Sequence, residues 1–292
     1  MRPAWLDQAQ YPFGPHSFQV EQRTMHYVDE GRGEPVVFVH GTPTWSFLWR
    51  RMILALRDEY RCIAPDHLGF GLSDKPETAD YTPAAHAQRL EELIEHLGLR
   101  DITLVVHDFG GPIGLSYAVR HPENVKRVVV MNSWLWSNAG NRAVEGASWV
   151  LRSPLGRFMY RRLNLSPQVL LKTAFADKTK LTPAMHRHYL APFPSPATRA
   201  APWILARELS GSNDWYRGLW EARAALADIP ALVLWGMKDP LFPLTHLERW
   251  RSALPHARVE RLERAGHFVQ EEAPEKVIAA IRSFLASEPP PG

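Results

Sequence analysis

Asp108, Asp239 and His267 each follow a short apolar run that reads as a buried strand. Asp108 ends "ITLVVHD" (102–108) and is followed, after Phe109, by the pair Gly110-Gly111. Asp239 follows "ALVLWGMK" and His267 follows "VERLERAG". Ligands in open α/β sheets sit beyond the carboxyl ends of the strands, so these three groups are placed to converge. Their chain order is acidic nucleophile, acid, histidine. A carboxylate is ionised at neutral pH and attacks without a base. It displaces a leaving group from an sp³ carbon and forms an alkyl-enzyme ester. His267 would then take a proton from water to hydrolyse that ester, with Asp239 orienting the imidazole. Each residue also has a plainer reading. Asp108 and Asp239 both suit a turn, and His267 suits an exposed loop. Asn132, at the end of the preceding strand, is a rival for the acid but carries no charge.

The elements that must position these groups follow from hydrophobic patterning. "PVVFVH" (35–40), "RCIAPD" (61–66), 102–108, "VKRVVVMN" (125–132) and "ALVLWG" (231–236) are continuous apolar runs, as expected of parallel strands covered on both faces. Helices are predicted over 46–57, 83–97, 111–121 and 274–286. That alternation implies an α/β class with a doubly wound, mostly parallel sheet. It breaks between 133 and 228, a proline-punctuated stretch rich in Trp, Arg and Leu. We read this stretch as a helical cap inserted in a core of 1–132 plus 229–292. The tail "SEPPPG" is expected to be frayed.

Composition narrows the function. Of 292 residues, 45% are hydrophobic and 22% charged, as in a soluble globular protein with a full core. The net charge of +3 arises from 34 Lys+Arg against 31 Asp+Glu, interspersed along the chain. Its densest cluster, Arg157, Arg161 and Arg162, reads as a solvated helix face, so no nucleic acid is expected. No apolar run is long enough to span a bilayer, and no membrane partner is expected. The N-terminus has no apolar leader and Cys62 is the lone cysteine. A cytoplasmic location is expected. "GFGLS" (69–73) lacks the third glycine of a dinucleotide loop, and no metal or organic cofactor is implied.

Five segments together resemble a known family. The turn Val106-His107-Asp108-Phe109-Gly110, "HGTPTWSFLWR" (40–50), "PDHLGFGLSDKP" (65–76), "WGMKDP" and "AGHFVQEE" resemble, in the same order, the functional loops of the α/β-hydrolases. Within that superfamily the chain is similar to the haloalkane dehalogenases, and "YLAPFP" (189–194) resembles their cap. The resemblance implies an oxyanion hole formed by the backbone N–H groups of Thr42 and Phe109. It also implies a halide clamp: a tryptophan after the nucleophile, plus either an asparagine after "HG" or a tryptophan in the cap. Here those first two positions hold Phe109 and Thr42: a phenyl ring has no N–H, and the Thr42 hydroxyl could donate a single bond. Trp134, Trp136, Trp149 and Tyr160 are the candidates to line the leaving-group pocket in compensation. The expected activity is dehalogenase-like hydrolysis of a small apolar substrate. Epoxide hydrolysis, with lid tyrosines drawn from Tyr160, Tyr189 and Tyr216, is an alternative. So is hydrolysis or decarboxylation of a small strained lactone. A non-catalytic small-ligand binding protein is the alternative of another class. The oligomeric state is not legible.

Overall fold

The structure, a computed structural model, describes residues 3–287. The expected tail therefore lies, from residue 288 on, outside the described residues. Eight strands form one sheet: β1 (His16–Val20), β2 (Arg23–Glu30), β3 (Pro35–Val39), β4 (Arg61–Pro65), β5 (Ile102–Asp108), β6 (Val125–Ser133), β7 (Ala231–Gly236) and β8 (Arg258–Leu262). Their order is β1-β2-β4-β3-β5-β6-β7-β8. β1 and β2 pair antiparallel, as do β2 and β4, and the other neighbours run parallel. β5 and β7 are buried along their whole length, which is why they are apolar at successive residues rather than at alternate ones.

Helices α1 (Arg50–Leu56), α2 (Pro83–His96) and α3 (Gly110–Arg120) match three of the predicted helices, and Pro274–Ala286 matches the fourth. Thr82 caps α2 by accepting from Ala85 N, with Pro83 at the first helical position. Between β6 and β7 the described chain is helical, including α4 (Arg142–Arg152) and α5 (Pro154–Arg161). Two apolar clusters lie on the two faces of the sheet. Val37, Val39, Leu104 and Val106 belong to one, and Val36, Phe38 and Val105 to the other.

The sequence reading did not assign the β1–β2 hairpin. Its turn is Glu21-Gln22, both at positive φ (49° and 59°), without the glycine or asparagine that usually marks such a turn.

Candidate active site

Asp108 is the last residue of β5 and has φ of 52°, a left-handed conformation that turns its carboxylate away from the strand. The turn is tight because small residues surround it. A Cβ on Gly110 would lie 2.0 Å from the Val39 carbonyl oxygen, and one on Gly111 would lie 1.7 Å from Ser133 Oγ. Ser133 Oγ donates to the Asp108 carbonyl (2.6 Å), tying β6 to the turn.

The strand ends bring the three candidates together. Thr42 N donates to Asp108 Oδ1 at 2.8 Å. The other carboxylate oxygen, Oδ2, lies 3.6 Å from His267 Nε2, which has no hydrogen-bond partner. His267 Nδ1 lies 2.8 Å from Asp239 Oδ2. Asp239 Oδ1 accepts from Leu241 N (2.7 Å) and Phe242 N (3.1 Å). Burial alone would lower the His267 pKa, but the charges of Asp239 and Asp108 outweigh it and push the pKa up to about 10. Burial also opposes ionisation of Asp239, yet His267 and the two backbone N–H groups hold its pKa below the usual carboxylate value.

The residues expected to form the oxyanion hole, Thr42 and Phe109, both border the cavity that contains Asp108 and His267. This cavity has a volume of about 380 Å³ and mostly aliphatic walls, with Val144, Ala147 and Leu151 from α4 on one side. Tyr160 borders it too. Burial and then the Asp108 charge raise the pKa of its phenol, so the phenol stays protonated.

The three expected tryptophans do not line it. Trp149 is 77% exposed. It stands two residues from each of Ala147 and Leu151, about 200° around the helix from the cavity wall. Trp134 is buried behind the site, edge-on to Phe109 and stacked on Phe242, and its indole N–H has no partner. Trp136 packs against Trp220, His246 and Trp250. Two of the three tyrosines expected to serve an epoxide are also engaged elsewhere. Tyr189 donates to Glu271 Oε1 (2.6 Å) and Tyr216 donates to the Glu208 carbonyl (3.1 Å).

Sequence reasoning weighed Asn132 only as a rival acid and passed over His107 and Glu272. Asn132 braces Asp239 rather than replacing it. Its Nδ2 donates to Asp239 Oδ2 (2.7 Å) and its Oδ1 accepts from Gly236 N (2.8 Å). Its strand-end position is the signal that pointed to it. His107 Nε2 meets the His267 carbonyl at 2.9 Å. Glu272 accepts from Gly266 N (2.8 Å) and from Ala176 N and Asp177 N (3.0 and 2.9 Å), which staples the inserted helical segment to the His267 loop. Asn132→Ala is expected to leave Gly236 N and one Asp239 oxygen short of a partner. The loss should be about 1–3 kcal/mol of stability in a denaturant titration, with slower turnover.

The family model of the α/β hydrolase fold matches residues 34–274. The chain belongs to the α/β-hydrolase family. Its curated relatives place it in the dehalogenase-like group. It is 37% identical to haloalkane dehalogenase 2 of Mycobacterium tuberculosis, over 93% of this chain and 94% of that protein. It is 36% identical to a cis-3-alkyl-4-alkyloxetan-2-one decarboxylase of Shewanella oneidensis, over 94% of this chain and 89% of that protein. The crystal structure of the haloalkane dehalogenase DatA from Agrobacterium tumefaciens superposes with a TM-score of 0.86 at 28% identity, covering 96% of this chain and 99% of that one. This dehalogenase-like chain is thus a hydrolase-family enzyme, the reading that its relatives support over a non-catalytic binding protein.

Proposed function

We propose that Asp108 is the nucleophile of a haloalkane dehalogenase-like hydrolase acting on an apolar substrate, with the helical segment 133–228 as the cap of its site. The observation that carries this reading is the setting of the Asp108 carboxylate. One oxygen is held by Thr42 N while the other lies 3.6 Å from an unpartnered imidazole nitrogen, and Asp108 borders the cavity. Asp108 attacks the carbon, the carbon–halogen bond breaks, and halide leaves. Water, deprotonated by His267, then attacks the ester carbonyl, and the backbone N–H groups of Thr42 and Phe109 receive the oxyanion. Halide release from short bromo- and chloroalkanes, absent in Asp108→Ala, tests the reading.

One observation favours a second leaving group. Phe109 and Thr42 stand at the two clamp positions, and none of the expected tryptophans brings an indole N–H to the cavity. Asn138 borders the cavity and gives one of its two Nδ2–H groups to the Leu209 carbonyl (3.0 Å), which leaves a single amide donor there in place of an indole. A strained four-membered lactone needs no halide clamp, because its leaving carboxylate stays tethered to the alkyl-enzyme intermediate. Attack of Asp108 on the ring carbon bearing oxygen breaks that carbon–oxygen bond and leaves a carboxylate on the neighbouring carbon. Loss of CO₂ then sends its bonding pair into a carbon–carbon double bond as Asp108 departs, with no water consumed. The epoxide reading loses ground because Tyr189 and Tyr216 are committed elsewhere, leaving Tyr160 alone of the three at the cavity.

Phe109→Trp separates the two leaving groups. An indole N–H beside the departing halide should raise halide release by roughly 10-fold or more, the worth of one charge-assisted hydrogen bond. The same change should leave lactone turnover unimproved. Equal effects on both substrates would count against a clamp-limited dehalogenase.

A further inference from the structure

Large exposed apolar side chains concentrate in one short part of the chain. Trp149, Leu155, Phe158, Leu163, Val169 and Leu170 are exposed, whereas among the other described residues the exposed large apolar side chains are Leu54, Leu241 and Leu244. The same stretch is strongly basic. Between 142 and 172 stand Arg142, Arg152, Arg157, Arg161, Arg162 and Lys172, against the single acid Glu145. That excess is larger than the +3 net charge of the whole chain. Arg161 pairs with Glu77, and among the described residues the other five basic groups meet no carboxylate.

Arg161, which also donates to the Pro196 carbonyl, and Arg157, over the Trp203 ring, serve the fold in part, but the exposed apolar groups and the remaining basic ones are not tied to it in this way. Trp149 points away from the wall that α4 gives the cavity, and Leu155 and Phe158 on α5, with Arg162 at its C-cap, follow at i, i+3 and i+7. Exposed tryptophan, phenylalanine and leucine interleaved with arginine are the side chains of a helix lying in a bilayer interface. Basic residues close to an anionic leaflet add attraction that falls with salt. The patch also reaches the site, because the exposed Leu170 borders the cavity that holds Asp108.

We infer that α4, α5 and the segment to Leu170 dock on an anionic lipid surface, so that apolar substrate enters the cavity from the bilayer. This revises the expectation of no membrane partner, which rested on the lack of a spanning segment. Among the described residues no helix is long and apolar enough to cross a membrane, and docking on the surface needs none.

The experiment is flotation of the full chain with vesicles of phosphatidylcholine, alone or with a quarter phosphatidylglycerol. The chain should float with the anionic vesicles, much less with the neutral ones, and less again at high salt. Two double variants follow, Trp149→Ser with Phe158→Ser and Arg152→Glu with Arg162→Glu. The arginine variant should lower vesicle binding about 10-fold or more, given about fivefold per basic residue near the surface, and the Trp149, Phe158 variant should lower it about 10-fold or more through the apolar area it no longer buries. Both variants should keep the wild-type melting temperature and the rate on a short water-soluble substrate, because these side chains are exposed. Three results would overturn the inference. One is no flotation with anionic vesicles. Another is equal flotation of both variants and the wild type. The third is self-association that disappears in Trp149→Ser with Phe158→Ser while no vesicle binding is seen, which would give the patch to a second copy of the chain.

Discussion

His267→Gln is expected to carry out the first step once and then stop. Incubated with 1-bromobutane, the variant should release one bromide per enzyme and gain the mass of a butyl group on the peptide that contains Asp108. Attack by a carboxylate needs no proton transfer, so the loss of the imidazole spares it. The water that follows must lose a proton, and a positioned base is worth about 10²–10⁴-fold in that step. His267 Nε2 is placed for this role, 3.6 Å from Asp108 Oδ2 and without a competing hydrogen bond. Steady-state turnover should therefore fall by about 10³-fold or more while the burst remains. Turnover at the wild-type rate, with no adduct, would sink the mechanism. With a four-membered lactone the same variant is informative in another way. Decarboxylation as drawn above uses no water, so it should persist where halide turnover is lost.

The charges around His267 add a pH dependence to this result. In the free enzyme the imidazole lies between two carboxylates, and its pKa is pushed up to about 10 despite complete burial. An imidazolium is no base. Formation of the ester removes the Asp108 charge, and with it one of the two influences that hold the proton on His267. On the proposed mechanism the pKa should then drop, the imidazolium should lose its proton to solvent, and the neutral imidazole would be able to accept a proton from the attacking water. Ester breakdown should rise with pH through a pKa below 10, whereas ester formation should not show that rise. The stability of the free enzyme has the corresponding sign. A raised histidine pKa stabilises the fold fully below its unfolded value of 6.5, and this contribution is lost as pH rises toward 10.

The parts of this architecture that the chain displays openly are those whose physics is local. β3, β5 and β7 are apolar at successive residues because both faces are covered, and Asp108 is visible because a charged residue ends such a run. The β1–β2 hairpin is not displayed, since its Glu21-Gln22 turn carries no glycine signal. Trp134 and Trp136 follow β6 directly in sequence, which suggested a place at the mouth of the site. The chain instead packs them behind Phe109 and against Trp250. Trp149 was legible in principle: the cavity-facing phase of α4 is Val144, Ala147, Leu151, and Trp149 is out of that phase. Asn132 and Glu272 act through loops distant in sequence, and only the fold brings their partners to them.

Gly41→Ala is expected to cost nearly as much activity as losing His267, through geometry rather than through chemistry. A Cβ on Gly41 would lie 2.1 Å from Asp108 Oδ1, 2.6 Å from Asp108 Cβ and 2.6 Å from Phe109 N. None of these is the free end of a flexible side chain. Either the Asp108 carboxylate turns or the 40–42 loop retreats, and in both cases the 2.8 Å bond from Thr42 N is lost. Removing one oxyanion donor typically costs about 10²–10³-fold in turnover, and misplacing the nucleophile adds to that. Both steps should slow, because the displaced carboxylate serves in the first and its ester carbonyl in the second. Gly146→Ala is the matched control. It lies within α4, with no heavy atom within 4 Å of the new methyl group, and alanine favours a helix interior. The comparison requires that both variants still unfold cooperatively on heating, and a buried clash of this size is expected first as a lower melting temperature. Ester formation with 1-bromobutane, followed by mass, then isolates the site from the fold. Folded Gly41→Ala that alkylates Asp108 as fast as Gly146→Ala would show that the loop does not press on the carboxylate. A folded protein that alkylates slowly would show that the absence of one methyl group at residue 41 is what lets Thr42 N and Phe109 N surround the reacting carboxylate.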